Sequence, residues 1–208
     1  MAKASLHLSQ NPVADRLLSD DPLALLIGMV LDQQVPLEWA FAAPAELQRR
    51  LDKALDEPLD AAEISAMDPD ALAALFSRRP ALHRFPGSMA KRVHELCRTL
   101  VDDYGGKADA VWQDVADGNE LFDRVRALPG FGEQKAKIFV ALLGKQLGVR
   151  PDAWDAVSAP FGEPGSFRSV ADIVDDATLA KVRAFKQELK AATKTKAASA
   201  KTKAASAR

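Results

Sequence analysis

An apolar stripe between residues 88 and 104 constrains the fold more than any other feature of the chain. Its side chains recur every three or four residues, the spacing of one face of an α-helix, and they are Met89, Val93, Leu96, Cys97, Leu100, Val101 and Tyr104. Gly105-Gly106 follows directly and is typical of a helix C-terminus. The segment therefore predicts a long amphipathic helix that packs on a core.

Three further segments predict helices in the same way. One opens at Asp21-Pro22 and has apolar residues at helical spacing up to Leu31, and the other two cover residues 120–128 and 133–147. The alternation typical of a strand occurs only in Ser5-Leu6-His7-Leu8. We therefore expect an all-α fold of eight to ten short helices.

Composition narrows the class of protein. The 208-residue chain can bury a real core, as one domain or two small lobes. Its single cysteine, Cys97, cannot make an internal disulfide, a four-thiolate zinc site or an iron–sulfur cluster. The N-terminus has no apolar run typical of a secretory signal, and the longest apolar stretch, residues 23–31, is too short to span a bilayer. We expect a cytoplasmic protein without a membrane partner.

The end of the sequence differs from the rest. The heptapeptide KTKAASA fills residues 194–200 and recurs at residues 201–207. From Ala191 onward there are five basic residues and no acidic one, and removing these five from the 28 basic residues leaves 23 against 29 acidic ones, a formal charge of about −6. An acidic body argues against a protein that binds nucleic acid by charge alone. We expect a folded domain over residues 1–192 and a disordered basic tail over residues 193–208, either merely solvated or a mobile arm that adds affinity for DNA.

The turn Leu128-Pro129-Gly130-Phe131-Gly132 joins two predicted helices within residues 120–147. Pro129 ends the first helix, and the two glycines permit positive φ and close approach of another molecule. The second helix begins at Glu133 with N–H groups that can hold a phosphate oxygen. An ordinary turn between two helices is the alternative interpretation.

Three segments in order resemble the helix-hairpin-helix DNA glycosylase superfamily. They are the early helix LALLIGMVLDQQVP at residues 23–36, the helix SMAKRVHELCRTLVDDYGG at residues 88–106, and the hairpin LPGFG at residues 128–132. The resemblance covers roughly residues 20–155 and implies a two-lobed helical fold that flips a damaged base out of duplex DNA and cuts its N-glycosidic bond. It implies a monomer at the nucleoid, with double-stranded DNA carrying a damaged or mismatched base as its partner.

The resemblance also implies where DNA binds. The hairpin backbone, residues 128–132, would hold phosphate with a monovalent cation, through Leu128, Gly130, Phe131 and Gly132. Gln34, beside Gln33, occupies the position whose side chain wedges into the DNA stack. A polar cap at the helix end is the alternative for both glutamines.

Lyase members of the superfamily have a nucleophilic lysine where this chain has Gln134. An amide cannot form a Schiff base, so the resemblance implies a monofunctional enzyme in which water is the nucleophile. Lys135, one residue along, points about 100° away on a helix, and phosphate contact or solvation is its expected role.

The family aspartate falls on Asp152 by spacing from Gln134. A carboxylate there would stabilise the charge on the sugar and orient water. Asp152 and Asp155 are also residues typical of a helix N-cap, and the surrounding residues 150–167 are loop-like and depart from the family pattern. A glycosylase-fold protein that binds or senses damaged DNA without catalysis is therefore the second hypothesis.

Other residues have two interpretations. Five aromatic residues could stack on a base or simply fill the core: Trp39, Phe41, Phe85, Phe131 and Trp154. Basic residues flank residues 80–86 and face either phosphates or solvent: Arg78, Arg79, Arg84, Lys91 and Arg92. His83 and His94 have no partner at metal spacing, and no metal site built from side chains is expected.

Overall fold

The computed structural model describes residues 5–54 and 56–206, with side chains up to Ala191. Within these residues there are ten α-helices, two short 3₁₀-helices and no strand, so the all-α prediction is confirmed. The α-helices are α1 Pro12–Asp20, α2 Pro22–Leu31, α3 Leu37–Arg50, α4 Ala61–Ala66, α5 Pro69–Ser77, α6 Pro86–Tyr104, α7 Gly118–Ala127, α8 Glu133–Gln146, α9 Trp154–Ser158 and α10 Asp176–Ser206. The 3₁₀-helices are Ala108–Val111 and Val170–Asp172.

Local signals in the sequence set most of the helix starts. In five α-helices the side chain of the N-cap residue accepts hydrogen bonds from N–H groups of the first turn. These N-cap residues are Asn11, Asp21, Asp60, Asp68 and Asp117. The stripe first seen in the sequence is α6, which begins at Pro86 and ends where Gly105 takes φ 59°. The left-handed region is open to glycine without steric cost, so the predicted stop at this residue is confirmed.

The helices pack in two groups around a continuous hydrophobic core. Helices α1 to α6 contact mainly one another and form the first group. The second group consists of α7, α8 and α9, which pack together. Helix α8 also packs on the 3₁₀-helix at residues 170–172, and that 3₁₀-helix contacts α10. Helix α2 lies between the groups, since it contacts α3, α6 and the 108–111 turn and is buried from Leu23 to Leu31.

The strand-like alternation at residues 5–8 has another cause. Leu6 and Leu8 are both buried, but their N–H groups bond to side chains, Ser19 Oγ and Asp15 Oδ1, each 2.9 Å away. The alternation therefore reflects an extended segment laid on α1, because every second side chain points into the core.

The backbone of α10 remains helical to Ser206, where the sequence predicts disorder from residue 193. Alanine and lysine, the commonest residues of that stretch, both have high helix propensity. Ala207 and Arg208 lie outside the described residues, as do the side chains of the tail. None of the helices in the described parts of the chain has the length and apolar character needed to cross a membrane.

Candidate nucleic-acid interface

The hairpin between α7 and α8 turns its apolar side chains inward. Leu128 and Phe131 are buried, and the Phe131 ring packs edge-on against Phe139 with centroids 5.7 Å apart. What these two residues offer a ligand is therefore their backbone. The Leu128 carbonyl accepts the Phe131 N–H at 3.0 Å and keeps a second lone pair, so the hairpin is compatible with the implied monovalent cation.

The two hairpin glycines serve different purposes. Gly130 has φ +88°, and a Cβ there would lie 3.3 Å from both methyl groups of Val30, so its close approach is to α2. Gly132 has an ordinary φ of −94°, and a Cβ there would meet nothing within 4 Å. No side chain caps α8, so the N–H groups of its first turn, beside Gly132, do not donate to a capping side chain. The face of the hairpin that is open to another molecule is therefore at Gly132.

Lys135 does not have the role expected from the sequence. Its Nζ atom donates to the carbonyl oxygens of Met29 at 2.6 Å and Val30 at 3.1 Å, at the C-terminus of α2. Burial lowers the pKa of the Lys135 ammonium to about 8, although Asp32 opposes the shift. The residue is therefore bound to the end of α2, where its charge meets the carbonyl dipoles, and is not placed for phosphate contact.

Gln33 is held inside the protein. Its Nε2 atom donates to the Val30 carbonyl at 2.8 Å, and its Oε1 atom accepts from Arg92 at 2.7 Å. The Gln33 carbonyl accepts from His83 Nε2 at 3.0 Å, and because His83 Nδ1 accepts the Phe85 N–H, the proton lies on Nε2. Burial lowers the pKa of His83, which favours the neutral ring. Gln33 therefore clamps the loop after α2, and the expected cap role fits its geometry.

Gln34 differs from its neighbour. It is exposed, and its φ of 57° lies in the left-handed region, which is uncommon for a residue with a side chain. Gln10, Asp52, Asp114 and Ala153 also have positive φ, so this conformation marks local strain and does not by itself distinguish Gln34. Gln34 lines a cavity, and its role as a wedge stays a prediction.

The cavity has a volume of about 410 Å³ and lies between α2, α8 and α10. One wall consists of residues 32–34 with Gln134 and Ile138 of α8, and the opposite wall consists of residues 160–161, residues 168–170 and the α10 residues Phe185, Lys186 and Leu189. Arg168 lies over the Phe185 ring and pairs with Glu163 at 3.2 Å. The cavity thus combines aromatic rings with polar groups, as ligand sites do.

Four polar side chains on this cavity have no hydrogen bond or ion pair with any described residue. They are Asp32, Gln34, Gln134 and Lys186. Asp32 is half-buried, and its burial raises the pKa of the carboxyl group, while the charges of Lys186 and Lys135 lower it and Glu38 raises it. Gln34 and Gln134 are exposed to solvent, whereas Asp32 and Lys186 are half-buried, so the two charged groups are the members of this set for which a missing protein partner is unusual.

Asp152 is not brought to the cavity. Its carbonyl accepts the Gly118 N–H at 2.7 Å, at the start of α7, and the neighbouring Trp154 ring covers Gly144 near the end of α8. Ten helical residues separate Gln134 from Gly144, which is about 15 Å along α8. The N-cap of α9 is Ala153 and no side chain caps that helix, so the interpretation of Asp152 as an N-cap is wrong.

The helix start that does line the cavity belongs to Ser169. Its hydroxyl accepts the Ala171 N–H at 3.2 Å and caps the 170–172 turn. A hydroxyl at this position is neutral and cannot replace the carboxylate that the superfamily resemblance implies. Among the described residues that line the cavity, the one acidic side chain is Asp32. Sequence reasoning missed Asp32, Arg168, Phe161 and Lys186.

An exposed aromatic surface adjoins the Gln33–Gln34 loop. Trp39 and Phe85 are 40% and 43% exposed, and His83 lies between them with ring centroids 6.4 and 6.0 Å away. The Arg84 guanidinium lies 5.3 Å from the centre of the Phe85 ring. By contrast Phe41 and Trp154 are buried, which fits their core interpretation.

The remaining candidates do not form a metal site. His94 pairs with the Met67 carbonyl, and Cys97 is buried, which raises the pKa of its thiol to about 12. Among the described residues no group of three or more His, Cys, Asp or Glu side chains could hold a metal ion.

No protein-family model matches this chain, and no curated protein matches it in sequence.

Proposed function

We propose that this protein is a monofunctional DNA N-glycosylase that flips a damaged base into the cavity and hydrolyses its N-glycosidic bond. The observation that supports this most is the set of four unpartnered polar side chains around a cavity edged by the strained, exposed Gln34. The rings of Phe161 and Phe185 give a flat base apolar surface, and the glutamine amides offer it both donors and acceptors.

The proposed binding mode uses the hairpin for positioning and Gln34 for insertion. The α8 N–H groups beside Gly132 hold a backbone phosphate, with room for a monovalent cation at the hairpin carbonyls. Gln34 fills the gap left in the stack, because its side chain is exposed and its loop is clamped through Gln33. Flipping costs a few kcal/mol and costs least at a damaged or mismatched pair, which assists selection.

Exposed basic residues beside the site offset part of the negative charge of the body. Arg78, Arg79, Arg84 and Lys91 are exposed around the aromatic surface next to the Gln33–Gln34 loop. Lys186 lines the cavity itself. Phosphate contacts from such residues fix the register of a duplex without reading its sequence.

A panel of labelled duplexes, each with one lesion, tests the proposal. We expect strand breaks that appear only after hot alkali, since a monofunctional enzyme leaves an intact abasic strand. Strand breaks without alkali, together with a covalent protein–DNA adduct that borohydride traps, would instead show a lysine nucleophile. The same duplexes should bind with an affinity that falls steeply as salt rises.

A DNA-binding protein without catalysis is the second candidate. It is favoured by Ser169 at the helix start on the cavity and by the distance of Asp152 from it. Salt-sensitive binding of a damaged duplex with no cleavage of any lesion would support this candidate over the enzyme. Absence of any salt-dependent DNA binding would contradict both.

A further inference from the structure

We propose that Asp32 is the catalytic carboxylate of this site, in place of Asp152. The inference rests on the proposed glycosylase function and specifies which group acts on the attacked sugar carbon and its water. It departs from the expectation drawn from spacing, because the chain brings a different aspartate to the cavity.

The first observation is the position of Asp32 in the chain, next to the residue proposed to enter the DNA stack. Asp32 directly follows α2 and precedes the clamped residues Gln33 and Gln34, so the group that enters the DNA stack and the carboxylate are two residues apart. A nucleotide displaced by Gln34 would leave the duplex next to Asp32. The backbone of Asp32 is fixed by its N–H, which donates to the Gly28 carbonyl at 3.0 Å.

The second observation is the lack of a structural task. The Asp32 carboxylate makes no hydrogen bond or ion pair with any described residue, whereas Asp15 and Asp21, at the starts of α1 and α2, each accept backbone N–H groups. Partial burial of this carboxylate disfavours its ionised form and raises its pKa. A carboxylate that lines a cavity and has no structural partner is typical of a functional group.

The third observation is the charge around the carboxylate. Lys186 and Lys135 act on Asp32 from α10 and α8 and favour its ionised form, while Glu38 and burial oppose them. Lys135 is held by the carbonyl groups of α2, and Lys186 has no bonded partner among the described residues. Lys186 is thus a positioning residue, since it acts through the charge state of Asp32.

The proposed step balances as a hydrolysis. The bond between the sugar C1′ atom and the base nitrogen breaks, its electron pair leaves with the base, and that nitrogen takes a proton from solvent. A water oxygen forms the new bond to C1′, and the proton it loses passes to the Asp32 carboxylate and then to solvent. The ionised carboxylate also stabilises the positive charge that develops on the sugar as the bond breaks.

The test compares Asp32→Asn with Asp152→Asn on the lesion that wild type cleaves best. We expect Asp32→Asn to lose about 100-fold or more in single-turnover rate, the scale of a positioned general base, and Asp152→Asn to retain the wild-type rate. Both variants should bind a duplex with a tetrahydrofuran abasic analogue as wild type does. Thermal unfolding of Asp32→Asn should be no lower than that of wild type, because the substitution removes an unpartnered charge.

The possible results distinguish a failure of the role proposed for Asp32 from a failure of the proposed glycosylase function. Cleavage lost in Asp152→Asn and kept in Asp32→Asn would overturn the assignment of Asp32 while leaving a glycosylase. No cleavage of any lesion by wild type would overturn both. Loss of both binding and thermal stability in Asp32→Asn would make the residue structural and overturn its catalytic role.

Lys186 supplies an independent readout. In Lys186→Met the carboxyl group loses a favourable charge, so the pH below which activity falls should move upward, whereas Lys186→Arg should keep it near the wild-type value. An unchanged pH profile in Lys186→Met would contradict the proposed charge pairing. A borohydride-trapped adduct that disappears in Lys186→Met would overturn attack by water.

Discussion

The ammonium group of Lys135 lies 2.6 Å from the carbonyl oxygen of Met29 and joins the helix that follows the hairpin to the helix that precedes Gln34. The bond ties the two halves of the candidate DNA site together through an ionisable group. The pKa of Lys135 is lowered to about 8 by burial, from an ordinary value of 10.5. The unfolded chain therefore binds more protons than the folded one between these two values, and this residue makes stability rise with pH across that window.

Substituting Lys135 tests this sign. The free energy of unfolding of wild type minus that of Lys135→Met should increase between about pH 8 and pH 10, because the methionine has no proton to lose. Urea unfolding at a series of pH values measures the difference. Lys137→Met is the matched control, since Lys137 is the next lysine on α8 and pairs with Glu133 at the surface. A difference that stays flat across the window would contradict the burial of a charged Lys135.

The two hairpin glycines should separate stability from binding. Gly130→Ala forces a side chain into the left-handed region and against Val30, so it should cost about 1–2 kcal/mol of unfolding free energy. Gly132→Ala has open space and an ordinary φ, so its cost should stay below about 1 kcal/mol while duplex affinity falls. Thermal melts and fluorescence anisotropy with a lesion duplex measure the two effects. Full duplex affinity in a folded Gly132→Ala would remove the hairpin from the DNA interface.

Gln34 offers a variant that should gain stability and lose function. Gln34→Gly relieves the left-handed backbone, so its unfolding free energy should equal that of wild type or exceed it by about 1 kcal/mol. Base flipping should fall about tenfold or more, which a 2-aminopurine fluorescence assay detects. Gln34→Ala retains the backbone strain and provides the comparison. Flipping at the wild-type level in both variants would contradict the wedge.

The aromatic surface next to the Gln33–Gln34 loop should contribute stacking energy. Phe85→Ala should weaken binding of an opened or single-stranded DNA segment by about 1–3 kcal/mol, the usual range for a base stacked on an aromatic ring. Its stability should change little, because the ring is 43% exposed. Val13→Ala removes an apolar side chain that is 51% exposed on α1 and serves as the control. Equal affinities for all three proteins would exclude stacking at Phe85.

Packing beneath Trp154 should make one glycine of α8 irreplaceable. A Cβ at Gly144 would lie 2.1 to 2.4 Å from three atoms of the indole ring, which is itself fixed by a hydrogen bond to the Val140 carbonyl. Gly144→Ala should therefore cost about 1–3 kcal/mol or more, measured by chemical unfolding. Gly87→Ala, in the first turn of α6 with open space, should cost nothing. A fully stable Gly144→Ala would show that the Trp154 loop can move away.

The sequence predicted local features well because local chemistry decides them. The stripe of α6 and its stop at Gly105, the Asp21 cap of α2, and the turn at Gly130 all follow from residues close together in the chain. The cavity could not be predicted in this way. Asp32 and Lys186 are 154 positions apart in the sequence, and they line the same cavity only because the chain returns to the end of α2 in its last helix.

The positions of two residues in the fold could not be predicted from spacing alone. Lys135 follows Gln134, the position at which lyase members of the superfamily have their lysine. Its side chain turns inward to the carbonyl groups of α2, and no sequence pattern distinguishes this rotamer from one that points to solvent. Asp152 was chosen by counting from Gln134, but the chain after α8 turns towards the start of α7 and carries it away from the cavity. The path of an irregular loop depends on packing that a residue count does not contain.

The clamp on Gln33 has a consequence for how readily this site could change. Because His83 and Arg92 hold the backbone and side chain of the residue before it, the conformation of the loop does not depend on what side chain residue 34 carries. Position 34 is therefore the exposed position of a loop whose preceding residue is fixed by hydrogen bonds. Under the proposed function, a single substitution there should change which base pairs are opened while the fold is retained.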